Sequence, residues 1–145
     1  MKKIYLCCLL CFSVMLNYAQ TQNNDSATTK TSKTIVPFID TLQDGEQFTI
    51  HYSSTGCFHN TKETMTFQRE NNTYYVIFNG EKKELDSNFL KKTRTFEKQL
   101  ARQGNYGCTT VDSYLVTYNN VERIANDGSC SWNGYRRLKK LFGFA

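Results

Sequence analysis

Missing from these 145 residues are the short patterns that announce most enzyme classes: there is no G-x-S-x-G, no H-E-x-x-H and no glycine-rich phosphate loop. No apolar run reaches the roughly twenty residues a membrane-crossing helix needs, the longest being Ile4 to Leu16. Charge of one sign does not dominate either. With 18 basic against 13 acidic side chains, the net charge of +5 is far from the basic footprint of a dedicated nucleic-acid binder, and no specific nucleic-acid motif accompanies it. Proline occurs once, histidine only at positions 51 and 59, and no internal repeat is present.

What is there begins with Met1-Lys2-Lys3, the apolar run and a small residue at Ala19, which together read as a secretory signal peptide over residues 1–19. Cys7, Cys8 and Cys11 lie inside it, but none follows the small residues that lipidation needs. The Ala19-Gln20 junction resembles those of leaders on secreted proteins of Gram-negative bacteria. Cleavage near Ala19 would deliver a secreted or periplasmic chain with 16 basic and 13 acidic side chains, a net +3. Residues 20–34 are polar and threonine-rich and read as a flexible linker, since they lack the apolar surface to offset chain entropy. The triplets Asp25-Ser26-Ala27 and Asp40-Thr41-Leu42 resemble acceptor sites for O-linked sugars in secreted bacterial proteins.

A single domain is expected over residues 35–145, where apolar residues start, long enough to bury roughly two thirds of its unfolded surface. Phe48 to Tyr52 alternates with period two, as a half-buried strand does. Thr64–Arg69 and Thr73–Asn79 form a hairpin closed at Asn71-Asn72, which sets Met65 across from Phe78 and Phe67 across from Val76. A turn at Asn79-Gly80 leads to a long helix from about Asn88 to Gln103, with Asp86 and Ser87 as capping candidates and Gly104 as a stop. At 100° per residue Phe89, Thr93, Phe96 and Leu100 share one stripe, and Lys91, Arg94, Lys98 and Arg102 lie opposite. A second hairpin, Thr109–Tyr118 with Val121–Ala125, turns at Asn119-Asn120, and a short helix runs from Gly134 to Phe142. The order β-β-β-α-β-β-α predicts an α+β fold: a mostly antiparallel sheet of about five strands with one long and one short C-terminal helix packed on it.

Export removes three cysteines and leaves Cys57, Cys108 and Cys130 in an oxidising compartment. Closure at Asn119-Asn120 brings Cys108 and Cys130 within one step of direct opposition, so a disulfide between them is expected, with Cys57 free, buried or bonded to a partner chain. Two other readings use the same residues. Cys57, Cys108, Cys130 and His59 have the donor types of a structural zinc site, but only Cys57 and His59 are closely spaced, so no metal or other cofactor is assigned. A thiol nucleophile at Cys57 with His59 or His51 as base and Asp112 or Asp127 as orienter would make a small hydrolase. The acids Glu63, Glu70, Glu81, Glu84 and Asp86 fall near strand ends and turns, where solvation alone explains them.

The row Lys91, Arg94, Lys98 and Arg102 is the candidate anion-binding surface, with Lys82 and Lys83 just before it and joined by Arg136, Arg137, Lys139 and Lys140 if the two helices lie side by side. Tyr75 and Ile77 fall on the hairpin face opposite the inferred core, where an aromatic can stack on a sugar or a protein. The primary expectation is therefore a non-catalytic secreted or periplasmic binding module whose partner is an anionic polysaccharide or another protein. The thiol hydrolase is the alternative.

Overall fold

The computed structural model describes residues 35–104 and 107–144; the leader, the linker and the Asp25-Ser26-Ala27 triplet lie outside them. A 3-10 turn at Phe38–Asp40 is followed by β1 (Gln47–Gly56), β2 (His59–Glu70), β3 (Thr73–Phe78), β4 (Glu81–Glu84), α1 (Ser87–Leu100), β5 (Val111–Tyr118), β6 (Val121–Asp127) and α2 (Gly134–Leu141). The strands form one antiparallel sheet in the order β4-β3-β2-β1-β5-β6. The fold is α+β, with six strands where about five were expected.

The additional strand is β4. Asn79 and Gly80 both take positive φ, 49° and 81°, the geometry of a two-residue turn whose twist suits a hairpin, so the chain folds back and pairs Glu81–Glu84 with Tyr75–Phe78. Its sequence, Glu-Lys-Lys-Glu, shows no apolar alternation, and charge is a common guard on an edge strand. The first two strands also run further than their apolar pattern. Polar residues 53–63 extend the β1–β2 ladder to Gly56 and His59 around a turn at Cys57-Phe58.

The two asparagine turns set the registers anticipated from sequence. Asn71 and Asn72 have φ of 51° and 62°, and Met65 faces Phe78, Phe67 faces Val76 and Arg69 faces Tyr74. Asn119, φ 51°, closes β5 on β6, with Leu115 across from Ile124 and Tyr118 from Val121.

Both helices cover the same face of the sheet. Asp86 caps α1 by accepting from the Phe89 amide at 2.8 Å, and Thr93, Phe96 and Leu100 are buried from its inner stripe. α2 contributes Tyr135, stacked on Tyr52 with ring centroids 4.1 Å apart, and Leu138. Phe142, just beyond it, packs edge-on against Phe67 and Phe89. Phe48, Ile50, Met65, Phe67 and Val76 are fully buried beneath this layer. The 3-10 turn is fastened from α1: the buried Glu97 carboxylate accepts from the Phe38 amide at 2.6 Å and the Ile39 amide at 3.1 Å. Thr41 of the second sugar-acceptor triplet is folded into this turn, its hydroxyl donating to the Phe38 carbonyl at 2.9 Å.

Candidate functional site

The helical layer concentrates positive charge. α1 carries Lys91, Lys92, Arg94 and Lys98, and α2 carries Arg136, Arg137, Lys139 and Lys140. The only acid on either helix is Glu97, which is buried and bound to backbone amides. Two of the eight cations are taken up internally: Arg94 pairs with Asp40, and Lys139 with Glu63 at 2.8 Å. The other six, and Arg102 just past α1, are exposed and have no ion-pair partner among the described residues.

The expected row therefore divides. Lys91, Lys98 and Arg102 point to water on the outer side of α1, whereas Arg94 turns toward the 3-10 turn and its aspartate. The flank of α1 that meets α2 is a different one, about 100° from the core stripe. Lys92, Thr95 and Gln99 stand there and form, with Gly134, Arg137 and Leu138, a groove of about 290 Å³ between the helices. Lys92 was absent from the sequence-derived row because helical periodicity places it on a flank, and only the docking of α2 makes that flank a cleft.

The thiol constellation takes another shape. Cys57 is exposed in the tip of the β1–β2 hairpin, beside a fully exposed Phe58. Cys108 and Cys130 stand at disulfide distance, Cα atoms 5.6 Å apart, just beyond the Asp112–Asp127 end of the β5–β6 ladder. Among the described residues no group of three or more His, Cys, Asp and Glu side chains is arranged to hold a metal ion.

His59 turns back along its own hairpin, and its Nε2 lies 2.9 Å from the Ser54 hydroxyl. It shares a polar cavity of about 340 Å³ with Asp112, Asp127, Trp132, Arg136 and the paired cysteines. Asp127 is buried and accepts from the Ser129 amide at 2.9 Å, while one buried carboxylate oxygen of Asp112 has no hydrogen-bond partner among the described residues. Burial also raises the phenol pKa values of Tyr52, Tyr114 and Tyr135 at this end of the core. His51 is separate, on the other sheet face, its Nδ1 3.3 Å from the Thr64 hydroxyl.

No family model, curated protein or solved structure matches this chain. The chemistry therefore rests on the residues themselves.

Of the remaining acids, Glu70 pairs with Lys82 at 2.5 Å, Glu81 with Lys83 at 3.1 Å, and Asp86 is spent on the cap. Glu63 is held by Lys139. The face of the sheet away from the helices is polar and threonine-rich, with Tyr75 and Ile77 half-buried and Lys82 4.2 Å above the Tyr75 ring centre. A shallow cavity of about 730 Å³ crosses it between His51, Lys62, Thr66, Ile77 and Leu115.

Proposed function

We propose that this chain is an exported binding module whose helical layer engages an anionic polysaccharide. The observation that supports the reading is the separation of charge between layers: eight cations and one buried acid on the helices, with the other acids among the described residues on the sheet, its turns and its loops. A solvated helix face ordinarily mixes signs, because opposite charges three or four residues apart stabilise it; a face of one sign gives up that gain and attracts counter-ions instead. Lys92 and Arg137 in the groove add a recessed point at which a sulfate or carboxylate can be held by two cations. Export is compatible with cysteines at disulfide distance and with the absence, among the described residues, of any helix long and apolar enough to cross a membrane.

The test is titration of the purified chain with fluorescent dextran sulfate, with uncharged dextran as control. Saturable binding is expected for the sulfated polymer alone, weakened at least tenfold by Lys92→Ala with Arg137→Ala. Equal binding by wild type and by a variant that also lacks Lys91, Lys98 and Arg102 would refute the proposal.

A further inference from the structure

The hairpin end of β1 and β2 is built around a hydrogen bond that the polyanion reading does not use. The ladder pairs Gly56 with His59 and Ser54 with Thr61, so Ser54 and His59 lie two steps apart on facing strands. The imidazole spans that gap by lying across the bare α-carbon of Gly56. A Cβ at position 56 would come within 2.6 Å of its Cε1, 2.9 Å of its Nδ1 and 2.9 Å of the Thr110 hydroxyl. Glycine here is a requirement of the ring's position, not of backbone torsion, since Gly56 is not among the residues with positive φ.

On the side of the ring away from that clash, Nε2 lies 2.9 Å from the Ser54 hydroxyl. In the tautomer that carries its proton on Nδ1, the ring aims the Nε2 lone pair at the Ser54 hydroxyl. Those are the relative positions of a nucleophile and its base. Ser54 itself is 2% exposed, yet with His59 it lines a cavity of about 370 Å³ beneath α2, where Glu63 and Lys139 neutralise each other as an ion pair and Arg136 and Lys140 carry the remaining charge. Two cations at the wall of a recess that holds a hydroxyl and its base favour an acyl compound carrying negative charge.

The geometry points to Ser54 as a nucleophile that hydrolyses small anionic carboxylic esters, with His59 as its base. Ser54 Oγ attacks the ester carbonyl and its proton passes to His59 Nε2. The bond to the alkoxy oxygen breaks as that proton moves onto the departing alcohol. Water then attacks the acyl-serine, giving its proton to Nε2, and the released Ser54 oxygen takes it back. The sum is ester plus water to acid plus alcohol, with no other reactant. Histidine thereby serves serine, not the exposed thiol of Cys57.

The experiment treats the full chain, cysteine pair intact, with phenylmethanesulfonyl fluoride, maps the adduct by peptide mass spectrometry, and follows p-nitrophenyl hemiglutarate hydrolysis in parallel. An adduct on Ser54 is expected, and hydrolysis lost in Ser54→Ala. Labelling should slow at least tenfold in His59→Gln and in Gly56→Ala, which leaves every reacting group present and only evicts the ring. An unlabelled Ser54 in the folded chain, or equal rates in wild type and His59→Gln, overturns the inference. A second variant guards against misfolding: Ser54→Cys in a Cys57→Ser background should alkylate with iodoacetamide, and an inert thiol there shows a closed recess and overturns it as well. Ser54→Ala should bind dextran sulfate like wild type, so the two proposals fail separately.

Discussion

Replacing Glu97 by glutamine should flatten the stability of this protein against pH, and the size of the effect follows from where the carboxylate sits. Burial under the 3-10 turn pushes its pKa up to about 7, against the opposing pull of the Ile39 and Phe38 amides and of Arg123. In the unfolded chain the same group titrates near 4.5. Below that value both states hold the proton and the group is indifferent to folding. Between 4.5 and 7 the unfolded chain gives up its proton first, so stability falls as pH rises, and above 7 the loss levels off. The full separation corresponds to about 3 kcal/mol, of which about 2.5 kcal/mol is lost between pH 5 and pH 8. With a urea dependence of roughly 1–3 kcal/mol per molar, the wild-type midpoint should drop by about 1–2 M over that interval from this group alone. Glu97→Gln does not titrate. Its fixed cost, an amide group turned toward backbone donors, is the same at every pH and cancels when profiles are compared. The measurement is urea unfolding by tyrosine and tryptophan fluorescence at pH 5, 6, 7 and 8 for both proteins. Parallel profiles would refute the reasoning, because they would mean that the carboxylate is as well solvated in the folded chain as in the unfolded one.

Polyanion binding, if about five cations are engaged, should weaken roughly tenfold for each doubling of salt, and Lys91/Lys98/Arg102→Ala should cut that to about threefold; a slope unchanged by the variant, read from titrations at several ionic strengths, speaks against the surface. Replacing Cys108 and Cys130 by alanine opens a loop spanning 22 residues and should cost about 3 kcal/mol in urea unfolding, most of it through the unfolded state. Unaltered stability in that variant, or in wild type treated with dithiothreitol, would show that the pair contributes nothing. Asp86→Ala removes the cap on the Phe89 amide and should lower stability by about 1 kcal/mol without moving the wild-type dependence on pH between 5 and 8; a loss of Glu97's titration in this variant would mean that the N-terminus of α1 and the 3-10 turn are coupled.

Registers and faces were legible because each depends on neighbours in sequence. Asn71-Asn72 fixes which residues of β2 and β3 meet, and from there alternation alone selects Met65, Phe67, Val76 and Phe78 for the core. The inner stripe of α1 follows in the same way from its period. β4 escaped because four charged residues have no apolar rhythm, although Asn79-Gly80 marked its turn. The polar extension of β1 and β2 escaped for a related cause. A backbone ladder can run beyond the core it started from, and nothing in residues 53–63 alternates apolar with polar. With that extension unseen, Ser54 had no visible connection to His59.

Local chemistry in the chain thus decided the strands, the helices, their turns and the inward side of each, since period and turn residues act over a few positions. It also decided that the helices would carry the positive charge. Which cations stay free was settled only by folding: Asp40 takes Arg94 from 54 residues away, and Glu63 takes Lys139 from 76. The same holds for the side chosen by the helices. Packing both on one face joins Lys92 to Arg137 and leaves Tyr75 and Ile77 on the other, because contacts between distant segments have no signature in either segment alone.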